Sequence, residues 1–164
     1  MYIPSGVYMV SGLTVYPFTT IQGTGRNTEL KLISGSNNDV IKGFNSDLYW
    51  VMTSHNTATG TCYHTEIVNL LINGNITDFS QGYKGYGLAI WGSRLRIWNL
   101  DIKNCAQKGL MTDYHDNDWD ASEPFYESSF YAIRVFNCGE EGWHCAGPHD
   151  AQVTDVTIID GSRK

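Results

Sequence analysis

A six-residue phrase returns four times in this chain and constrains its fold more than any other feature: Ile67-Val68-Asn69-Leu70-Leu71-Ile72, Ile97-Trp98-Asn99-Leu100-Asp101-Ile102, Phe130-Tyr131-Ala132-Ile133-Arg134-Val135 and Val153-Thr154-Asp155-Val156-Thr157-Ile158. Each copy opens on an apolar anchor and closes in apolar, polar, apolar alternation, the period-2 pattern of a strand with one buried face. A turn-forming residue follows at a fixed offset, as Gly74, Asn104, Asn137 and Asp160. A shorter phrase led by glycine also recurs, as Gly87-Leu88-Ala89-Ile90, Gly109-Leu110-Met111-Thr112 and Gly142-Trp143-His144-Cys145. One such unit cannot bury its apolar face alone, so the copies are expected to stack as coils that cover one another.

The intervals locate the insertions. Gly87 to Gly109 is 22 residues and Phe130 to Val153 is 23, about the length of one parallel β-helix rung. Longer intervals carry surplus chain at 75–85 and at 114–127. Insertions in repeat proteins become loops and often line the working face. The expected architecture is all-β: a right-handed single-stranded parallel β-helix of about five or six rungs, one domain over 1–164. Leu70, Ile72, Leu88, Ile90, Ile97, Leu100, Ile102, Leu110, Ile133, Val135, Val156 and Ile158 are expected inside.

Composition agrees: 17 glycines against 4 prolines and only 17% charged residues suit short strands and tight turns. No 18-residue apolar run and no charged-then-apolar N-terminus is present, so the reading includes neither a membrane span nor a visible signal peptide. A net charge of -6 argues against nucleic acid as partner and fits a site built from carboxylates. Both ends run directly into rung-like sequence and no polar cap is readable at the C-terminus, so a piece of a longer β-helix, or a subunit covered by partners, is expected.

The opening stretch Ile3-Pro4-Ser5-Gly6-Val7-Tyr8-Met9-Val10, followed by Thr20-Ile21-Gln22-Gly23-Thr24-Gly25-Arg26 and Thr28-Glu29-Leu30-Lys31-Leu32, resembles the first rungs of the pectate-lyase-like right-handed β-helix superfamily. It is closest in character to the branch found in phage tailspikes and capsule depolymerases. The resemblance implies the fold, polysaccharide binding or cleavage, homotrimers, and a virion-tail or extracellular setting. It transfers no catalytic residues: the Asn-Thr-Asp, paired Asp, Gly-His-Gly and Arg-Ile-Lys signatures of polygalacturonases are missing, with Gly142-Trp143-His144 a partial echo. Function must therefore be argued from the site.

In the glycine-led phrase, Leu88, Ile90, Leu110, Thr112, Trp143 and Cys145 take the inward positions. Ala89, Trp91, Met111, Asp113, His144 and Ala146 then face outward. Trp91 and Asp113 should stack on neighbouring rungs, about 4.8 Å apart at the backbone. His144 lies one rung on and two residues back, roughly 8 Å away on the same lattice. An exposed indole beside a carboxylate suits a sugar ring. The competing reading packs Trp91 beneath the 114–127 loop and leaves Asp113 capping a turn.

That loop interleaves five carboxylates with four aromatics: Tyr114, Asp116, Asp118, Trp119, Asp120, Glu123, Phe125, Tyr126 and Glu127. Glycosidic hydrolysis needs one carboxyl as acid and another as base or nucleophile, and crowded like charges keep one of them protonated. The expected acid and base groups are Asp113 with Asp120, Glu123 and Glu127, His144 sharing the proton transfer, and Trp91, Tyr114, Trp119 and Tyr86 holding sugar. The plain alternative is a solvated acidic loop. Asp116, Asp118, Asp120 and Glu127 also occupy positions 1, 3, 5 and 12 of an EF-hand-like calcium loop. The pattern is incomplete, with Ala121 where glycine normally turns the chain and Pro124 at position 9. No other cofactor is expected, and zinc is disfavoured because no Cys-x-x-Cys pair exists.

Lys108 and Glu141 precede the glycines of successive rungs and should form an ion pair. Cys105 and Cys138 should stack as reduced ladder members. Two classes of function remain open: a depolymerase acting on capsule, lipopolysaccharide or pectin-like polysaccharide, hydrolase before lyase, and a non-catalytic glycan-binding segment of a viral fibre.

Overall fold

A computed structural model describes residues 1–44, 62, 64–92, 94–113, 128–145 and 151–161, with Asp113, Asp160 and Gly161 described at the backbone alone. The protein is all-β, and every strand pairing is parallel. The first sheet runs β1 (Gly6–Val10), β4 (Thr28–Leu32), β6 (Glu66–Asn73), β8 (Arg96–Lys103), β10 (Ser129–Cys138) and β12 (Gln152–Gly161). Its β3 (Thr20–Gln22) pairs with the first half of β6, whose second half pairs with β4. The second sheet runs β2 (Leu13–Val15), β5 (Ile41–Gly43), β7 (Leu88–Trp91), β9 (Leu110–Asp113) and β11 (Trp143–Cys145). From β4 onward the chain alternates between the sheets, and no hairpin forms at Gly74 or Asn104.

Register follows the repeated phrase residue by residue. Ile67, Ile97 and Phe130 pair in one row, Leu70, Leu100 and Ile133 in the next, and Ile72, Ile102 and Val135 in a third. All nine are buried in one core shared with Leu88, Ile90 and Leu110 of the second sheet. Each such side chain contributes about 1.5–3 kcal/mol by leaving water.

Strict alternation would put Ile67 and Leu70 on opposite faces, since they are three apart. The chain resolves this with one left-handed residue per copy: Asn69, Asn99, Ala132 and Asp155 have φ of 59°, 50°, 53° and 54°. The bend drops out of the strand pairing and resets the phase, so anchors on both sides of it point inward. Asn and Asp tolerate this conformation; Ala132 adopts it at a cost of about 1–2 kcal/mol. The Asn99 amide also donates to Asn69 Oδ1 at 2.8 Å, a cross-strand tie at the corner.

The links from the first sheet to the second are tied by ladders. Asn137 donates to Asn104 at 2.5 Å and Asn104 to Asn73 at 3.2 Å. Asn104 and Asn137 are left-handed as turn residues, whereas the ladder continues through Asn73 rather than through Gly74. Cys105 and Cys138 are buried free thiols, and the neighbouring Cys138 thiol together with burial pushes the Cys105 thiol well above its ordinary range. Next to them Gly109 has no room for a side chain. A Cβ there would run into Val135 and stand 2.8 Å from the Gly142 carbonyl oxygen.

Three inward assignments need correction. Ile158 rests against Gly142 on its inner side yet is 47% exposed, and Val156 is only partly buried, because β12 ends its sheet. Cys145, expected inside, is exposed because β11 ends the other sheet. An edge strand lacks the neighbour that would cover its inner row.

Candidate functional site

The second sheet assembles its outward row as the glycine-led phrase requires. Leu88 pairs with Leu110, Ala89 with Met111 and Trp91 with Asp113; Met111 pairs in turn with His144. This brings Trp91, Asp113 and His144 onto three adjacent strands. The expected exposure of Trp91 is overturned. Its ring is only 7% exposed and packs with Ala89 and Met111, with Tyr86 against them, as a small apolar cluster separate from the main core. A covered indole offers no face to a sugar, so Trp91 supports this face as a packing residue.

Beside that cluster lies a charged group of which only one pair was legible in sequence. Lys108 Nζ is 2.9 Å from Glu140 Oε2 and 3.0 Å from Glu141 Oε2, and 5.6 Å from the centroid of the Tyr86 ring. Glu140, which lies outside the repeated phrase, also accepts from Gln107 at 3.3 Å. Burial opposes ionisation of Glu140, but the Lys108 and Gln107 hydrogen bonds outweigh it and hold its carboxyl below the ordinary range. Glu141 is lowered chiefly by its Lys108 hydrogen bond. Lys108 is raised, burial being outweighed by its two carboxylate partners. Burial pushes the Tyr86 phenol up against the pull of Lys108. Both glutamates are thus stabilised as anions, the opposite of what a general acid requires.

The loop at 75–85 packs along the turns that lead into the second sheet. It forms a single 3-10 turn, Phe79–Gln81, whose first free N–H, from Ser80, is accepted by Asp78 at 2.9 Å. Lys84 N donates to Asn37 and Gly85 N to Gln107, both at 3.1 Å, and Tyr86 N donates to Asp39 at 2.7 Å. Tyr86 is thereby fixed at the entrance to β7.

Tyr114, Asp116, Asp118, Trp119, Asp120, Glu123 and Glu127 lie outside the described residues, and with them both the acid/base and the calcium assignments made for that loop. Among the described residues, no group of three or more His, Cys, Asp or Glu could hold a metal ion. None of the described helices is long and apolar enough to cross a membrane.

The first sheet carries a different outer face. Its second slot holds Val68, Trp98, Tyr131 and Thr154 side by side, and Trp98 and Tyr131 are 38% and 51% exposed. Trp98 Nε1 donates to Ser129 Oγ at 3.1 Å, and the Arg96 guanidinium lies 5.9 Å from the indole centroid. Beyond the left-handed bend, Asp101 is gripped by Arg26 at 2.7 Å and by a two-pronged Arg134 contact from the next strand. Burial raises the Asp101 carboxyl while Arg26 and Lys103 pull it back. The repeat contained the signal for this face: an aromatic in the slot just after the anchor in two successive copies. Comparison with protein-family models, with curated proteins and with solved structures finds no match to this chain.

Proposed function

We propose that the two interleaved sheets are the coils of a right-handed parallel β-helix, and that this β-helix binds and degrades polysaccharide on the outer face of its second sheet. The hand follows from the general preference of parallel crossovers. The observation that carries the reading is the register of β7, β9 and β11, which puts Asp113 opposite Trp91 and His144 one strand further on, with Tyr86 packed against the Trp91 cluster. A carboxyl, an imidazole and a phenol on neighbouring rungs are the groups glycosidic cleavage draws on. Asp120, Glu123 and Glu127 would supply the second carboxyl, and Asp116, Asp118, Asp120 and Glu127 the ligands of a calcium ion. The resemblance to tailspikes extends the proposal to a homotrimer in a virion tail or a secreted enzyme.

A binding-only reading has its own support. Among the described residues the carboxylates of Glu140 and Glu141 beside this face are held ionised by Lys108, so neither is a stored proton. One experiment separates the two: incubate the protein with capsular polysaccharide, lipopolysaccharide and pectin-like polymer, and follow chain length and new reducing ends. Cleavage that Asp113→Asn reduces by about 100-fold or more, with binding retained, supports the enzyme. Binding without shortening of any polymer leaves the adhesion reading.

A further inference from the structure

We propose that the outer face of the first sheet is a second saccharide site, formed by Arg94, Arg96, Trp98 and Tyr131, and that it selects sugars carrying a carboxylate or sulfate. The inference rests on the reading that this protein recognises polysaccharide, and it assigns a surface on the other sheet from the one proposed for cleavage. Leu95 and Ile97 are buried while Arg96 and Trp98, two apart in β8, are exposed on one face, and Arg94, left-handed with φ of 54°, is exposed just before the strand. Tyr131 stands directly across from Trp98 on the next strand, about 4.8 Å away at the backbone, which makes a stacking platform about one pyranose wide.

The platform is held in place before any ligand arrives. The indole N–H of Trp98 is already bonded to Ser129, and Arg96 lies over the ring, so little side-chain freedom remains to be lost on binding. Its charge is what points to an acidic sugar. Arg26 and Arg134 are committed to Asp101, but among the described residues neither Arg94 nor Arg96 has a carboxylate partner. Arg94 is bonded to the His64 ring at 3.1 Å. Glu66, opposite Arg96 in the ladder, accepts from Thr20 at 3.4 Å instead. Two guanidiniums without an ion-pair partner among the described residues leave positive charge on this face, with Glu66 across the ladder from Arg96 as a partial counterweight. Guanidinium forks bind carboxylate and sulfate oxygens in pairs while the C–H face of the sugar lies on the rings.

The test titrates the full chain with a galacturonate hexamer, a sulfated galactose hexamer, a neutral galactose hexamer and a single-stranded thymidine oligonucleotide, by calorimetry and tryptophan fluorescence. Both acidic hexamers should bind at least about tenfold more tightly than the neutral one. Trp98→Ala should weaken that binding by about tenfold or more with the melting profile essentially retained. The Arg94→Gln, Arg96→Gln double variant should erase the acidic preference while leaving weak stacking. Equal affinity for acidic and neutral hexamers, or tighter binding of the oligonucleotide, overturns the proposal. Saccharide binding that Trp98→Ala leaves untouched overturns this site while the polysaccharide reading stands. Failure to bind any saccharide, including the polymers named above, removes both.

Discussion

The outer faces of the two sheets are built from the same repeat, yet they treat their tryptophans oppositely. Trp91 on the second sheet is 7% exposed and belongs to an apolar cluster with Ala89 and Met111; Trp98 on the first sheet is 38% exposed with a guanidinium over it. Tyr86, fixed at the entrance to β7 by its N–H bond to Asp39, packs against the Trp91 cluster, whereas the Trp98 ring carries the Arg96 guanidinium and pairs across the ladder with an exposed Tyr131. A side chain's outward direction is therefore a property of its strand, whereas its exposure depends on chain from elsewhere.

The largest expected effect tests that contrast directly. Trp91→Ala should lower stability by about 3–5 kcal/mol, as for a large aromatic removed from a packed cluster. Trp98→Ala should cost about 1 kcal/mol, the worth of its one hydrogen bond and partial burial. Denaturant melts of the two variants side by side measure this, and equal losses would mean that the two faces are not differently covered.

A thiol titration sharpens where the covering stops. Of the four cysteines, Cys62, Cys105 and Cys138 are buried and Cys145, at the end of β11, is exposed. Native protein should expose one rapidly reacting thiol, removed by Cys145→Ser, with the rest reacting on unfolding. Reductant should leave the melting temperature unchanged, because Cys105 and Cys138 stack as thiols. Slow reaction of all four would extend the covered region to β11.

The smallest effect concerns the charged group flanking the covered cluster. Glu140 and Glu141 have folded pKa values below the ordinary 4.5, so their stabilisation is present above about pH 4.5 and is lost as pH falls through the folded values. Lys108 is raised above 10.5, so its share is present below about pH 10.5 and is lost as pH rises through its folded value. Lys108→Met should thus cost at most about 1 kcal/mol between those limits, the pairs being partly screened by solvent, and less at acid pH. A stability difference from the parent that does not shrink on acidification would contradict this role.

Much of this fold was legible because parallel strands paired in register repeat one sequence pattern. The rows Ile67, Ile97, Phe130 and Leu88, Leu110 could be placed before any coordinates, and so could the opposition of Trp91 with Asp113. The left-handed bend at Asn69, Asn99, Ala132 and Asp155 has no uniform mark in the sequence, since alanine in that slot hides a conformation that Asn and Asp tolerate. The site was less legible. Glu140 lies two residues before the glycine-led phrase, outside the repeat, and the slot of Trp98 and Tyr131 holds Val68 and Thr154 in the other copies, so no aromatic period marks it.

The amino-acid sequence by itself determined which residues share a row, which phrases pair and where chain is inserted, because periodicity and register are local properties that stacking copies unchanged. Tertiary structure alone decided that Trp91 is covered and Trp98 open, that Lys108 holds two glutamates rather than one, and that Ile158 and Cys145 lie at sheet edges. Burial and ionisation are set by atoms brought from distant parts of the chain, and no local pattern carries that information.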